Sequence, residues 1–177
     1  MINLQISPTA QKIKTKNFHV GVIMPLTEKN NSDFFFRAIE AMCEFGFEIS
    51  ILAEGDDQAQ KECFKCAQKH PKNFEILESV PKNRNRILES SDVILCPEMP
   101  KKSILEKIQN AGIIPILPAG KNRNLKNYDP QSETGNVFLF EPENFWRFLK
   151  TIICASENSK FEYDWKNLQK NWQLVKL

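Results

Sequence analysis

The sequence predicts a doubly wound α/β domain, a six-stranded parallel sheet with helices on both faces. Three observations predict it. Short apolar runs alternate with stretches of helical periodicity along nearly the whole chain. In the run Asp92–Cys96 every residue after Asp92 is apolar, as a strand buried between helices must be. With 177 residues, 41% hydrophobic and 26% charged, the chain is one domain long and globular in composition.

In order, Phe18–Met24 reads as a strand that stops at Pro25, and Asp33–Phe45 as a helix closed by Gly46. Phe47–Ala53 is a strand, and Asp56–His70 a helix with acidic residues in its first turn. Phe74–Leu77 is a strand, Asn83–Ser90 a short helix, and Asp92–Cys96 an apolar strand stopped by Pro97. Ser103–Ala111 is a helix ended by Gly112, and Ile113–Leu117 the fifth strand. A polar loop over 122–134 leads to a sixth, Val137–Phe140. Glu143–Ala155 and about Asp164–Lys176 are amphipathic helices; Trp165, Leu168, Trp172 and Val175 share one side of the second. Residues 1–16 read as a tail or short preceding helix, and 17–177 as the domain.

Several function classes are excluded. The six glycines stand apart, so neither G-x-G-x-x-G nor a Walker A loop exists. Phosphate cradles of those kinds need glycine for close backbone approach and positive φ. No cofactor is expected. Two histidines are too few for His-rich metal sites. Cys63-x-x-Cys66 and His70 have metal-like spacing, but Ala59 and Ala67 share their helical face, which reads as a buried stripe without zinc. Five scattered cysteines predict free thiols in a soluble cytoplasmic protein, and no apolar run is long enough to span a membrane.

Five stretches resemble bacterial glycogen and starch synthases: Ile49–Asp56, Arg86–Pro97, Ala111–Ile116, Tyr128–Phe138 and the segment around Tyr163-Asp-Trp165. They occur in the family's order over 18–177, and they are similar to its C-terminal, donor-binding half. The resemblance implies a single Rossmann-like half of a B-type glycosyltransferase and a nucleotide sugar as ligand. It also implies a missing acceptor-binding half. The family's donor motifs are degraded. Pro25 stands where an Arg belongs, and Asn30 and Asn31 stand at a Lys-Gly pair, with Lys29 one place away. The family's Glu-Pro-Cys-Gly loop is here Pro97-Glu-Met-Pro-Lys-Lys-Ser103; its Glu falls on Met99 or Lys101, and its second polar position on Lys107.

Sheets of this kind bind ligands at the carboxyl ends of the strands. There the βα loops predict a basic crest of Lys29, Lys82, Arg84, Arg86, Lys101, Lys102, Lys121, Arg123 and Lys126, opposed by Glu54, Asp56 and Asp57. The ligand-binding candidates are Lys29, Arg84, Lys101, Lys102, Ser103, Lys121 and Arg123 along this edge, and a bound anion is expected at the start of the Ser103–Ala111 helix, where free N–H groups add to the basic side chains. No residue is assigned to catalysis. The leading expectation is a glycosyltransferase-like domain, inactive by itself, that binds a nucleotide, nucleotide sugar or sugar phosphate, or a protein partner at the C-terminal helix. The second is half of a split transferase completed by another chain. A polyanion- or RNA-binding adaptor comes third, because the net charge is only +2.

Overall fold

The computed structural model describes residues 17–23, 32–120 and 122–177; Lys29, Lys121 and the segment 1–16 lie outside them. Six parallel strands stand in the order β3-β2-β1-β4-β5-β6. They are β1 (His19–Val22), β2 (Glu48–Leu52), β3 (Phe74–Leu77), β4 (Val93–Leu95), β5 (Ile114–Pro118) and β6 (Phe138–Phe140). The helices are α1 (Ser32–Glu44), α2 (Asp57–Lys69), α3 (Pro81–Ser90), α4 (Lys102–Asn110), α5 (Phe145–Ser159) and α6 (Glu162–Gln173). Every strand and helix expected from periodicity is present, with ends moved by one to a few residues, which is how helices fray.

Local chemistry accounts for the boundaries. The Asp56 carboxylate accepts the Ala59 N–H at 2.8 Å and caps α2, and the Asn144 side chain accepts from Arg147 N at 3.1 Å to cap α5. Pro81 opens α3, where its missing N–H costs nothing. α1 ends because Gly46 takes φ +80°, letting Phe47 N bond Met42 O at 3.0 Å.

The chain winds outward from β1 through α1 and α2 to β3, then returns through α3 to β4 and outward again through α4 to β5. Right-handed crossovers in opposite directions put α1 and α2 on one face and α3 and α4 on the other. α5 packs against α1, and α6 against α4 and β5. Trp172 of α6 is fully buried, and half-buried Trp165 stacks on Phe138 with ring centroids 6.4 Å apart. The C-terminal helix thus spends its aromatic face on this chain's own core. The alternation breaks between β5 and β6, parallel neighbours joined by a loop without a helix, and again where α6 follows α5.

The outer edge of β6 is closed from within. Asn127 bridges Val137, its side-chain oxygen accepts Leu139 N at 2.9 Å, and Tyr128 N bonds Val137 O at 2.8 Å.

α3 lies against β1 with almost no clearance. A Cβ built on Gly21 would stand 2.4 Å from both Ile87 Cγ2 and Ser91 Oγ, and 2.8 Å from Ile94 Cδ1. All three neighbours belong to packed elements. Gly21→Ala is therefore expected to lower stability by about 1–3 kcal/mol through overpacking, read as a lower urea midpoint. An unchanged midpoint would show that α3 moves away freely.

Cys63 and Cys66 point inward from α2, and Cys43 is buried on α1; His70 ends α2 half-buried. Burial pushes the thiols of Cys43 and Cys63 up to about 12 and that of Cys66 up to about 11, with nearby carboxylates adding to the effect at Cys66. In the fully buried Cys96 burial alone raises the thiol to about 12. Among the described residues no group of three or more His, Cys, Asp or Glu is arranged to hold a metal ion, and no helix is long and apolar enough to cross a membrane. At pH 8 a disulfide reagent should titrate half-buried Cys154 first, the other four thiols reacting only on denaturation. Rapid reaction of Cys63 or Cys66 in the native state would contradict this packing.

Candidate functional site

The strand order reverses between β1 and β4, which makes their carboxyl ends the switch point where open sheets of this kind hold ligands. The turn from β4 into α4 forms one wall. Cys96 and Pro97 are buried, Glu98 and Met99 project outward, and Pro100 turns back into the protein. Two prolines in four residues stiffen this turn. Lys101 follows in an extended conformation and α4 starts at Lys102, one residue before the expected start. Ile104 N and Leu105 N bond Lys101 O at 2.9 and 3.2 Å, and among the described residues no side chain caps the helix. Lys101, Lys102 and Ser103 are all exposed around that uncapped end. Lys102 reaches Glu106 only loosely, at 3.8 Å, so its charge remains available to an incoming anion. Met99 crosses to the loop after β5, its methyl group 3.4 Å from where a Cβ on Gly120 would be.

The rest of the expected crest is dispersed. Arg84 is half-buried and bonds Glu54 at 2.8 Å, and Glu54 also accepts from Ser79. That cluster is locally neutral, although the buried Arg84 Nε has no hydrogen-bond partner among the described residues. Arg86 turns away from the carboxyl edge to Glu75, with contacts of 2.9 and 3.3 Å. Arg123 is also placed differently from the expectation. Its neighbour Asn124 accepts from Asn136 at 2.8 Å and donates to Lys176 O at 2.9 Å. The β5–β6 register sets Asn136 at the amino end of the sheet. The connection has crossed the sheet by Asn124, so Arg123 does not join Lys101 and Lys102. The physical reason is the missing crossover helix: without it the chain returns within a few residues.

Sequence reasoning missed two features. Glu54 and Glu75 neutralise arginines 30 and 11 positions further along the chain, and only the folded register pairs them. At the amino edge His19, Ser50 and Glu75 form a polar cluster with Arg86. One signal for it was legible: polar residues interrupt three strands, His19 in β1, Glu48 and Ser50 in β2, and Glu75 in β3.

No family model matches the chain. By sequence it is 23% identical over 168 residues to glycogen synthase 1 of Synechocystis, a match covering 91% of this chain and 35% of the relative. It is 24% identical over 156 residues to the glycogen synthase of Fervidobacterium nodosum, covering 85% and 32%. The chain thus spans about a third of the length of the curated relatives it matches. Among solved structures, the C-terminal domain of a group 1 glycosyltransferase from Francisella tularensis superposes with TM-score 0.65 at 13% identity, covering 89% of this chain and 83% of that one. The catalytic domain of a cholesterol-α-glucosyltransferase from Helicobacter pylori gives 0.61 at 19%, covering 88% and 95%. The chain has the fold of one half of a B-type glycosyltransferase, and in sequence it resembles the glycogen synthases.

Proposed function

We propose that this chain is a glycosyltransferase-like binding domain that takes a nucleotide sugar, nucleotide or sugar phosphate by its phosphate groups at the start of α4. The observation that carries the reading is the uncapped helix end at the sheet's switch point, flanked by Lys101, Lys102 and Ser103. Free backbone N–H groups, the positive end of the helix dipole and two exposed ammonium groups act there on one anion. Similarity to glycogen synthases favours a nucleotide sugar among the anions that fit. Lys29 and Lys121, outside the described residues, stay candidates on sequence alone.

Transfer of a sugar needs donor and acceptor held together in one oriented site. The described residues supply one edge of one sheet, and the loop that would grip the donor's sugar carries Met99 or Lys101 at the family's Glu position. The chain by itself is therefore assigned to binding, and turnover is assigned to the assembly in which a second domain faces this edge. The polyanion reading loses support, because Arg84 and Arg86 are paired and Arg123 lies at the far edge.

Titration calorimetry with ADP, UDP, ADP-glucose, UDP-glucose and inorganic phosphate tests the site. Binding of at least one is expected, weakened by about 1–3 kcal/mol, or roughly tenfold or more, in the Lys101→Glu, Lys102→Glu double variant. Equal binding by wild type and variant would reduce these lysines to solvated surface. In a transfer assay with ADP-glucose or UDP-glucose and glycogen, the chain should make no product above buffer. Turnover abolished by mutating the 97–103 loop would make it an enzyme in its own right.

A further inference from the structure

β3 stands at one edge of the sheet, and its backbone groups can be accounted for one by one. In a parallel ladder alternate residues turn both N–H and C=O to the same neighbour. Ile49 N bonds Asn73 O and Ala53 N bonds Leu77 O, each at 2.7 Å, so Asn73, Glu75 and Leu77 face β2. Phe74, Ile76 and Glu78 turn theirs the other way, out of the sheet. Two of these outward groups are already used. Phe74 N bonds His70 O at 3.0 Å, and Glu78 O accepts from Val80 N at 2.8 Å and Asn83 Nδ2 at 3.0 Å. Four remain without a partner among the described residues: Phe74 C=O, both groups of Ile76, and Glu78 N–H.

This set is its own complement. In an antiparallel pair, directly opposed residues exchange both bonds, and the pattern repeats two residues on. With a second copy laid along the edge about a two-fold axis at Ile76, each Ile76 N–H meets the other Ile76 C=O. Each Glu78 N–H then meets the other Phe74 C=O. Every free group is used once. The remaining pair this register opposes, Phe74 N–H and Glu78 C=O, is the one already satisfied within the chain. A two-fold contact requires such self-complementarity.

We propose that this edge is the interface of a homodimer, two β3 strands paired antiparallel about Ile76 so that two sheets become one. The side chains agree with that register. Glu75 falls opposite Leu77 and Glu78 opposite Phe74, so no like charges are directly opposed. Glu75 is also held on its own chain by Arg86 at 2.9 Å. Ile76, half-buried at the edge, meets its own copy. Above the seam, Phe64 of α2 is 59% exposed. Lys69 of the same helix reaches Glu40 of α1 at 3.1 Å, and Phe64 lies about 140° round the helix from it. Phe64 therefore stands on the flank of α2 turned away from α1, past the edge of β3, where the second copy's α2 arrives. Antiparallel pairing sends the two α4 starts to opposite ends of the joined sheet. Both stay open, so dimerisation and anion binding are separable.

Sedimentation velocity over about a hundredfold range of concentration tests the dimer, and amide hydrogen exchange at the upper end tests its register. The parent chain is expected to reach the mass of two chains. Ile76→Lys puts two like charges on the axis and should sediment as one chain throughout. Phe64→Glu, at an exposed position, should weaken dimerisation roughly tenfold or more while leaving the urea midpoint of the dilute protein unchanged. In the parent, Glu78 N–H should exchange roughly tenfold or more slowly than in Ile76→Lys, while Phe74 N–H, bonded within the chain, exchanges alike in both. A parent that keeps the mass of one chain at the highest concentration overturns the inference. So does a dimer that folded Ile76→Lys retains, or one in which Glu78 N–H gains no protection.

Discussion

The contact between α3 and Gly21 is the constraint on which the rest of this molecule depends. α3 must carry the chain from one edge strand, β3, back across the sheet to β4, and it passes directly over β1. Any side chain at position 21 would lift it off. Because it can seat there, β4 pairs with β1, and the sheet gains the reversal of strand order that creates a crevice at its carboxyl end. The same seating leaves the amino ends of β2 and β3 uncovered on that face. One close approach thus sets the site at one end and the polar cluster at the other.

How much of this was legible in the sequence divides along a physical line. Strands and helices were readable because each is set by its own periodicity and punctuation: Pro25 and Pro97 after strands, Gly46 and Gly112 after helices, Asp56 at a cap. The fold followed, since parallel strands with intervening helices have few ways to wind. The β4–α4 turn was readable too, because it is one continuous stretch. What was not readable depends on register. Whether Arg84 faces a ligand or Glu54 is decided by two loops brought side by side, and no local pattern encodes that. Arg123 failed for another reason: a rule that holds for loops leading into helices was applied to a connection with none.

The similarity to glycogen synthases and the changes at the donor loop belong to different layers of the protein. Val20, Val22, Ile49, Ile51, Val93, Ile94, Ile114 and Ile116 are buried strand residues, and any sequence that supplies apolar bulk there builds the same sheet. Fold survives at low identity because packing tolerates exchange among apolar residues. A donor site does not, because it needs particular atoms at particular distances. The preserved frame and the altered Pro97–Ser103 turn are therefore compatible in one chain.

The sealed outer edge of β6 has a consequence for how this sheet meets other molecules. With Leu139 N–H taken by the Asn127 side chain and Val137 O by Tyr128 N, that side offers no continuous row of unpaired backbone groups to a foreign strand. Among the described residues β3, at the opposite edge of the sheet, has no such cover from a neighbouring strand. Growth of the sheet by strand addition is therefore one-directional, which leaves β3 as the edge through which strand-by-strand association would begin.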